Sequence, residues 1–204
     1  DYGIIHRDVK TTNVLLDSHW KAKLCDFNLA IDDESAAKLT HVAGTTEFMS
    51  PEALLCSDFT FSSDMFGFGI TLFEVITVKI PGTDGFLERH PRDLFMVDVD
   101  EIENQRPDDV PPSFWRLALD CCDKEAEIRP SAIEAIDWLD DLLREYDNVS
   151  LTEELEIAAG QRKNSLGSLS IESSGSGSSN NTQNKVKKRE GQRLDGDILA
   201  ETFR

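Results

Sequence analysis

Charged and amide side chains stand inside apolar sequence at two places near the start of the chain. The first is HRDVKTTN at residues 6–13, and the second is Asp26 within AKLCDF at residues 22–27. Charged groups are seldom fully buried unless a partner pairs with them. The pattern therefore restricts the chain to folds in which these groups gather around an external partner. It also predicts a buried carboxylate at Asp26.

Four of these residues form a set with a specific chemical use. Asp8, Lys10 and Asn13 lie within six residues, and Asp26 follows thirteen residues later. Phosphoryl transfer needs a carboxylate that accepts the hydroxyl proton and a cation beside the moving phosphoryl group. It also needs an amide and a second carboxylate that hold Mg²⁺. Few other reactions need this combination, so the set predicts phosphoryl transfer.

The remaining pattern predicts a mainly helical domain with one small hairpin. NVLLD at residues 13–17 and AKLCDF at residues 22–27 are short apolar runs around a polar turn, which predicts the hairpin. Residues 28–50 have no clean period and predict a long functional loop. Residues 62–77 are apolar nearly all round, which predicts a helix at the centre of the domain. Residues 79–109 are polar and interrupted by proline, and predict a surface excursion.

Two further helices are predicted towards the end of the domain. PPSFWRLALDCC at residues 111–122 begins with prolines that suit a helix start. PSAIEAIDWLDDLLREY at residues 130–146 has Ser131 as its cap and Glu134 three residues later, which together form a capping box. One stripe of this helix is predicted to face the core: Ile133, Ile136, Leu139 and Leu143.

Composition separates a domain from a tail. Between residues 165 and 179, eight of fifteen residues are serine and three are glycine. Such a stretch cannot bury enough apolar surface to offset the entropy cost of ordering. We therefore expect a folded domain over residues 1–147 and a disordered Ser/Gly-rich tail over residues 148–204. The tail's short basic cluster, KVKKRE at residues 185–190, is either a solvated run or a targeting or docking signal.

The net charge of −18 lies entirely in the domain. Residues 1–147 hold 13 basic and 31 acidic residues, and 13 − 31 = −18, while the tail holds eight of each. Such a domain repels nucleic acid and anionic lipid, so neither nucleic acid nor a membrane is expected as a partner. No apolar run approaches the roughly 18 residues of a membrane span.

The cysteine pattern favours reduced thiols. Four cysteines are present, at Cys25, Cys56, Cys121 and Cys122. They are too few and wrongly spaced for a disulfide framework or a zinc site. We therefore expect a cytoplasmic, intracellular protein.

Five sequence motifs, in order, resemble those of the eukaryotic protein kinases. HRDVKTTN resembles their catalytic loop, and Asp26-Phe27-Asn28 resembles their metal-binding Asp-Phe-Gly. GTTEFMSPE at residues 44–52 is similar to the end of the activation segment. DMFGFG at residues 64–69 resembles the start of the central helix, and Arg129 resembles the arginine near the domain's end. The implied fold class is α+β and protein kinase-like, with a mostly α-helical C-lobe and a small β-hairpin.

The resemblance implies a role for each residue of the chemical set. Asp8 would orient a Ser or Thr hydroxyl and accept its proton. Lys10 would contact the γ-phosphate of ATP, as in Ser/Thr kinases, and Thr45 would bond to the Asp8 and Lys10 pair. Asn13 and Asp26 would ligate Mg²⁺. The implied cofactors are therefore ATP and Mg²⁺, and the implied partner is a protein substrate.

Other residues receive structural roles from the same resemblance. The ring of His6 would pack beneath the catalytic loop, and Asp64 would accept hydrogen bonds from the backbone of that loop. Glu52 and Arg129 would form a buried ion pair that ties the activation segment to the lower lobe. Cys25 would face the nucleotide and pack beneath its adenine and ribose.

A regulatory role follows for Arg7, beside the catalytic Asp8. Kinases with arginine at this position order the activation segment by phosphorylation, because a guanidinium grips phosphate oxygens in two places. Thr40 is the first candidate acceptor and Ser35 the second, and an upstream activating kinase is the implied partner. The alternative is that both hydroxyls are ordinary loop residues.

The chain also departs from the kinase pattern. Asn28 stands in the family's glycine position, although asparagine visits the left-handed backbone region more readily than most residues. Nothing resembles the Gly-rich loop, the strand lysine or the adenine-binding hinge. We therefore expect that the N-lobe is absent from this chain, and that residues 1–147 are a partial kinase domain that is inactive alone. The alternative function is a pseudokinase or scaffold that binds without catalysis.

One stretch indicates a branch of the family. Residues 86–131 resemble the tyrosine-kinase-like group, in particular its LIM-domain and testis-specific kinase branch. Despite the name of that group, Lys10 favours a Ser/Thr substrate, with dual specificity as the alternative.

Overall fold

The computed structural model describes residues 3–36, 42–56 and 58–147. The predictions for Thr40 and for the tail at residues 148–204, including its basic cluster, lie outside these described residues.

Four short strands form two antiparallel ribbons. Strand β1 (Ile4–Ile5) pairs with β4 (Ile31–Asp32), and β2 (Val14–Leu16) pairs with β3 (Ala22–Leu24). The second pairing is the predicted hairpin, which the structure confirms. Because each ribbon has only two strands, the leucines of β2 and β3 keep substantial exposure.

The segment predicted as a long loop contains regular structure. A single 3₁₀ turn at Phe27–Leu29 leads into β4, which is followed by the one-turn helix α1 (Asp33–Ala36). The backbone N–H of Asp33 donates to the carbonyl oxygen of Gly3 at 3.1 Å, which extends the contact of β4 with the β1 ribbon. Elements this short are stabilised by pairing with a distant segment, so the local periodicity does not reveal them.

Five longer helices follow in the described part of the chain. They are α2 (Pro51–Cys56), α3 (Phe61–Thr77), α4 (Val99–Glu103), α5 (Pro112–Cys121) and α6 (residues 132–147). Among the described residues, no helix combines the length and the apolar character needed to cross a membrane.

Helix α3 is the centre of the domain, as predicted. Thr60 precedes it as the N-cap, and its backbone N–H donates to the Oγ of Ser63 at 3.0 Å. Phe66, Ile70 and Phe73 are each 0% exposed. Burial of each such side chain contributes roughly 1.5–3 kcal/mol relative to exposure. The fold therefore forms around this helix.

Helix α5 packs directly on α3. The ring of Trp115 meets the ring of Phe73 edge to face, with the ring centroids 4.9 Å apart. Leu117, Ala118 and Cys121 complete the buried face of α5. The predicted helix is therefore confirmed.

The predicted core stripe of α6 is correct at Leu139 and wrong at two isoleucines, and its capping box is present. The N–H of Ser131 donates to the Oε2 of Glu134 at 2.7 Å, and the N–H of Glu134 donates to the Oγ of Ser131 at 3.3 Å. However, Ile133 is 69% exposed and Ile136 is 37% exposed. Leu139 is buried as predicted, and Ala135 four residues earlier is buried with it. The helix lies close to the core through the small alanine, and the bulkier isoleucines face outward.

The stretch at residues 79–109 is also more than a surface excursion. Phe86, Leu87 and Ile102 are buried, and α4 is capped by Asp98, whose carboxylate accepts the N–H of Glu101 at 3.0 Å. These side chains belong to the same core as α3 and α5. Isolated apolar residues within polar sequence are enough to fix this segment on the domain.

Candidate active site

The loop at residues 6–13 is fixed on the first turn of α3. The carboxylate of Asp64 accepts the backbone N–H of His6 at 2.6 Å and that of Arg7 at 2.8 Å. Burial raises the pKa of Asp64, and these two N–H donors offset part of that effect. Arg7 has φ of 68°, a conformation that is costly for a side chain of this size, and the bonds to Asp64 hold it there.

The carboxylate of Asp8 is the point at which the predicted site residues converge. Lys10 Nζ lies 2.9 Å from its Oδ2, and Asn13 Nδ2 donates to the same oxygen at 2.9 Å. Thr45 donates to its Oδ1 twice, from the backbone N–H at 2.9 Å and from the hydroxyl at 2.7 Å. Lys10 also donates to the hydroxyl of Thr45 at 2.5 Å. Thr45 thus joins two segments that are far apart in sequence.

These donors keep Asp8 ionised. Burial alone would raise the pKa of its carboxyl group, but the hydrogen bonds from Lys10, Thr45 and Asn13 outweigh burial and lower the pKa below its ordinary value. A charged carboxylate is the form that accepts a proton. The geometry therefore provides a base that is ready at neutral pH.

Asn13 and Asp26 are brought to the same end of the β2–β3 hairpin. The backbone N–H of Cys25 donates to the carbonyl oxygen of Asn13 at 2.9 Å, so Asp26 follows immediately beside it. The Nδ2 of Asn13 donates to the carbonyl oxygen of Asp8 at 2.8 Å as well as to its carboxylate. Both bonds use the amide nitrogen, so the amide oxygen is the atom of this side chain that could bind a metal ion.

This donor pair fits a magnesium ion. Mg²⁺ prefers oxygen ligands and is usually held by one or two protein groups together with substrate phosphates and water. Among the described residues there is no cluster of three or more histidine, cysteine or carboxylate side chains that could enclose a metal ion. One amide oxygen and one carboxylate therefore suit Mg²⁺ delivered with a nucleotide, and do not suit a closed metal site.

The predicted burial of Asp26 is wrong. Asp26 is exposed and has the left-handed backbone conformation, with φ of 63° and ψ of 63°. In the described part of the chain, no third strand pairs with the two-stranded ribbon that precedes it, so an apolar run in the sequence does not imply burial here. The side chain of Asn28 donates to its Oδ1 at 2.7 Å.

His6 links the loop to the Asp26 segment. Its Nδ1 accepts the N–H of Asp8 at 3.3 Å, so its Nε2 is the nitrogen that donates, to the carbonyl oxygen of Cys25 at 2.9 Å. The ring also meets the edge of Phe27, with centroids 4.8 Å apart. The structure thus places His6 beneath the loop as a packing residue, and Cys25 beside it is partly buried.

Arg7 is buried with part of its guanidinium unpaired. Its Nε donates to the carbonyl oxygen of Leu29 at 2.5 Å, and its Cζ lies 5.1 Å from the centroid of the Phe59 ring. Its Nη1 has no hydrogen-bond partner among the described residues. Burial lowers the pKa of Arg7, and the charge of Asp64 opposes this shift.

Ser35, the second candidate phosphate acceptor, is hydrogen-bonded to Asp32. The hydroxyl of Ser35 donates to Asp32 Oδ2 at 2.9 Å, and its backbone N–H donates to Asp32 Oδ1 at 2.8 Å. In this conformation Ser35 therefore bonds to the residue that precedes α1 and stabilises the start of that helix.

Glu52 and Arg129 form the expected pair between α2 and the segment before α6. Arg129 Nη1 lies 2.7 Å from Glu52 Oε1, and Nη2 lies 2.9 Å from Oε2. The same guanidinium donates to the carbonyl oxygens of Ser62 at 3.1 Å and Asp123 at 2.8 Å. Burial would raise the pKa of Glu52, but the hydrogen bonds led by Arg129 lower it below its ordinary value.

Arg89 is a site residue that the sequence did not indicate. Its Nη2 donates to three carbonyl oxygens of the segment after Thr45: Thr46 at 3.0 Å, Glu47 at 3.0 Å and Met49 at 2.8 Å. Burial lowers the pKa of Arg89 to about 10. Because all its partners are backbone carbonyls, which every residue carries, no sequence pattern announces this contact.

Thr11 also has a contact that the motif does not reveal. Its hydroxyl donates to Glu74 Oε2 on α3 at 2.7 Å. The loop is thus tied to α3 at both ends, by Asp64 at the start of the helix and by Glu74 three turns later.

The fold and this site define a protein kinase domain. The family model of the protein kinase domain matches residues 1–138. The chain therefore belongs to the protein kinase family, and the resemblance inferred from the motifs is confirmed at that level.

Similar proteins are known from Dictyostelium discoideum. Two probable serine/threonine-protein kinases are each 37% identical, one over 141 residues and the other over 148. These alignments cover 68% and 72% of this chain, and 32% and 24% of the relatives. The dual specificity protein kinase shkC is 35% identical over 150 residues, covering 68% of this chain and 28% of the relative. The chain spans about a third or less of the length of these relatives.

Proposed function

We propose that this chain carries the catalytic residues of a serine/threonine protein kinase, which transfers the γ-phosphoryl group of ATP to protein hydroxyl groups. The single observation that supports this function best is the environment of the Asp8 carboxylate. It is ionised, bonded to Lys10, Thr45 and Asn13, and fixed on α3 through the neighbouring loop residues.

Each residue of the site has a defined part in the proposed reaction. Asp8 orients the substrate hydroxyl and accepts its proton. Lys10 neutralises charge on the transferred phosphoryl group, while Thr45 keeps Lys10 and Asp8 in register. Asn13 and Asp26 hold Mg²⁺, which neutralises the phosphates of ATP when bound.

The choice of substrate hydroxyl rests on Lys10. Its ammonium group contacts both Asp8 and Thr45, and this Lys–Thr combination is the pattern typical of Ser/Thr kinases. The names of the first two relatives support the same preference, while the name of shkC keeps dual specificity as the alternative. We assign the chain to the tyrosine-kinase-like group from residues 86–131, which resemble its LIM-domain and testis-specific branch.

Regulation by an upstream kinase is the second part of the proposal. The unpaired Nη1 of Arg7 can donate to a phosphate oxygen, which would give this buried donor a partner. Thr40 is the proposed phosphate acceptor. Ser35 is less suited, because its hydroxyl donates to Asp32.

Replacement of the base tests the proposed reaction. In the full-length protein, Asp8→Asn is expected to lower kcat for a protein substrate by about 10²–10⁴, the usual contribution of a positioned base. Asparagine keeps the shape but turns an N–H₂ group towards a donor of Thr45, Asn13 or Lys10, so the urea midpoint should fall as well. The kcat values are therefore compared where both proteins are fully folded. Asp109→Asn, which removes an exposed carboxylate outside the site, is the matched control. Unchanged phosphorylation by the Asp8 variant would refute the assignment.

The second candidate function is that of a pseudokinase or scaffold, because the side chain of Asn28 donates a hydrogen bond to one carboxylate oxygen of Asp26. The Nδ2–Oδ1 distance of 2.7 Å means that a metal ion must displace or share this bond. Thermal unfolding of the full-length protein with and without MgATP separates the two functions, since a ligand that binds only the folded state raises the midpoint. A scaffold without a nucleotide site shows no shift at millimolar MgATP. Asn28→Gly should increase the shift if the amide competes with the ion.

A further inference from the structure

An open groove of about 610 Å³ lies between the first turn of α5 and the C-terminal half of α6. Ser113 lines it from α5, and four residues of α6 line it from the other side: Trp138, Asp141, Leu142 and Glu145. These four are spaced by three or four positions, so they share one face of the helix. None of the lining residues belongs to the candidate active site, so the groove is a separate surface.

The centre of the groove is apolar. Trp138 and Leu142 are both partly exposed, and Trp138 also packs against the main core around α3. The fold therefore holds the indole in place while leaving part of it open to a ligand. Among aromatic rings an indole attracts a cation best, and the apolar surface of Leu142 suits the methylene stem of a lysine or arginine.

The edge of the groove is negatively charged. Asp141 and Glu145 lie one turn apart and are both exposed. Arg144 Nη1 lies 2.5 Å from Asp141 Oδ1, but the side chain of Asp141 remains 74% exposed, and an exposed pair of this kind contributes little. Helix α6 holds six acidic residues and one basic residue, so its field adds to that of the two carboxylates. The indole and the carboxylates thus favour the same ligand, a segment rich in lysine or arginine.

The chain itself carries a segment with the matching chemistry. KVKKRE at residues 185–190 has four cations and one valine, and it holds half of the eight basic residues of the tail. The described part of the chain ends at Asp147, two residues after Glu145, so the tail begins beside the groove. Residues 148–184 connect the two. A connection of roughly 37 residues can span up to about 120 Å, about five times the roughly 24 Å length of α6.

Attachment to the same chain favours a contact that would be weak between separate molecules. A tethered segment is present at an effective concentration on the order of millimolar, whatever the concentration of the protein. Charge pairs at an exposed surface need only a modest affinity to be occupied under this condition. The position of the groove, next to the start of the tail, therefore makes the chain's own segment the best-placed ligand.

We propose that the basic segment at residues 185–190 docks in the groove between α5 and α6 of its own chain. One of its cationic side chains lies over the ring of Trp138, between the carboxylates of Asp141 and Glu145. Docking brings the tail back to the domain and neutralises part of the net charge of −18. The contact needs no catalysis, so it stands or falls independently of the proposed function.

Cross-linking tests the contact in the full-length protein. A carbodiimide joins a lysine to a carboxylate only where the two touch, and mass spectrometry identifies the joined residues. We expect links from the lysines of residues 185–188 to Asp141 or Glu145, and fewer links at high salt because the charges are screened. The exposed pair of Lys23 and Asp17, at 3.0 Å, shows that the reaction has worked. Absence of the tail links in such a sample overturns the proposal.

A peptide in solution tests whether the groove is occupied by the tail. Fluorescence anisotropy follows a labelled peptide of residues 181–194 as it binds the full-length protein. The variant Lys187→Glu with Lys188→Glu removes the competing segment, so it should bind the peptide about tenfold more tightly than the parent protein does. Equal binding to both proteins means that the groove takes a basic segment of another protein, and it overturns docking of the tail.

Substitutions in the groove locate the binding site of the peptide. In the tail variant, Asp141→Lys with Glu145→Lys should weaken peptide binding by at least tenfold. The milder Asp141→Asn with Glu145→Gln should weaken it several-fold, which keeps the test valid if charge reversal disturbs α6. Glu125→Lys with Glu127→Lys reverses two exposed charges outside the groove and should leave binding unchanged. An equal loss for this control and for the groove variants would overturn the site.

A second copy of the chain is the remaining occupant to distinguish. Isotopically light and heavy full-length protein are mixed before cross-linking. Links within one chain, in which both peptides carry the same label, support the proposal. Links that join a light peptide to a heavy one, and that increase with protein concentration, assign the groove to the tail of a second copy and overturn docking within the chain.

Discussion

At the scale of single residues, three arginines hold the site segments, and each one lies over a phenylalanine ring. Arg7 lies over Phe59 at 5.1 Å, while Arg89 and Arg129 lie over Phe66 at 4.9 and 5.0 Å. The guanidinium edge donates to backbone or carboxylate oxygens, and its flat face covers the apolar core. Two cations can therefore lie against the fully buried Phe66, because their N–H groups donate to oxygen atoms while their flat faces contact the ring.

The ion pair of Arg129 should be worth far more than a surface pair. Arg129→Met leaves the Glu52 carboxylate partly buried without its main partner, so we expect a loss of about 3–5 kcal/mol in the free energy of unfolding. Urea unfolding measures this loss. The control is Arg116→Met, which breaks an exposed pair with Asp120 and should cost at most about 1 kcal/mol. Equal losses for the two variants would contradict the argument.

Glu52 should also make stability depend on pH in the acid range. Its folded pKa lies below the ordinary value of about 4.5, so its pair contributes stability above that pH and loses it as pH falls through the folded pKa. The unfolding midpoint is measured from about pH 6 downwards, so that the series passes through the pKa range of glutamate. The midpoint should fall less steeply for Glu52→Gln than for the parent chain. Glu127→Gln serves as the control, and an unchanged slope for Glu52→Gln would count against this assignment.

The contacts of Asp8 and of Glu52 were predictable because each joins residue types that a motif specifies. Lys10 and Thr45 meet Asp8, and Arg129 meets Glu52. Arg89 was not predictable, because it recognises backbone carbonyls 40 to 43 residues away in sequence. Contacts between two side chains can therefore be predicted from sequence motifs, whereas contacts between a side chain and the main chain cannot.

At the scale of elements, the contact between α3 and α5 depends on the absence of a side chain. A Cβ atom at Gly69 would lie 2.6 Å from the Sγ of Cys122 and 2.9 Å from the carbonyl oxygen of Ala118. Burial raises the pKa of Cys121 to about 12 and also raises the pKa of Cys122, so both thiols remain protonated packing groups here. Glycine lowers helix propensity, and close helix packing is what offsets this cost.

Gly69→Ala should therefore destabilise the domain although alanine favours helix formation by up to about 1 kcal/mol. The overpacked contact is expected to cost about 1–3 kcal/mol, so the net change in the free energy of unfolding is negative. Val75→Ala on the same helix is the control, because Val75 is 60% exposed and its loss should stay within about 0.5 kcal/mol. A more stable Gly69 variant would show that the two helices can separate without loss.

Long elements with an apolar pattern of their own could be predicted from sequence, and short elements that need a distant partner could not. Helices α3 and α5 and the β2–β3 hairpin carry their apolar pattern locally. The two-residue strands β1 and β4 exist only because they pair with each other, 27 residues apart. In α6 the helix was correct and its face was correct only at Leu139, since the size of Ala135 and not hydrophobicity alone decides which side approaches the core.

At the scale of the whole molecule, the net negative charge of the domain lowers its stability. The domain carries the full net charge of −18, and many of its carboxylates lie on exposed segments such as α4 and the loop that follows it. Like charges on a compact surface repel, and this repulsion relaxes when the chain unfolds. The negative charge of the surface therefore weakens the fold that carries it.

Salt should consequently stabilise the chain. Raising NaCl from low ionic strength shortens the distance over which the carboxylates repel, so the thermal midpoint of the 204-residue chain should rise by a few degrees. About 1 kcal/mol corresponds to roughly 2–4 °C for a chain of this size. Asp108→Asn with Asp109→Asn should raise the midpoint at low salt and flatten its salt dependence, while Lys124→Gln, which removes an exposed cation, should do the reverse. A midpoint that falls with added salt would mean that attractive ion pairs outweigh the net repulsion.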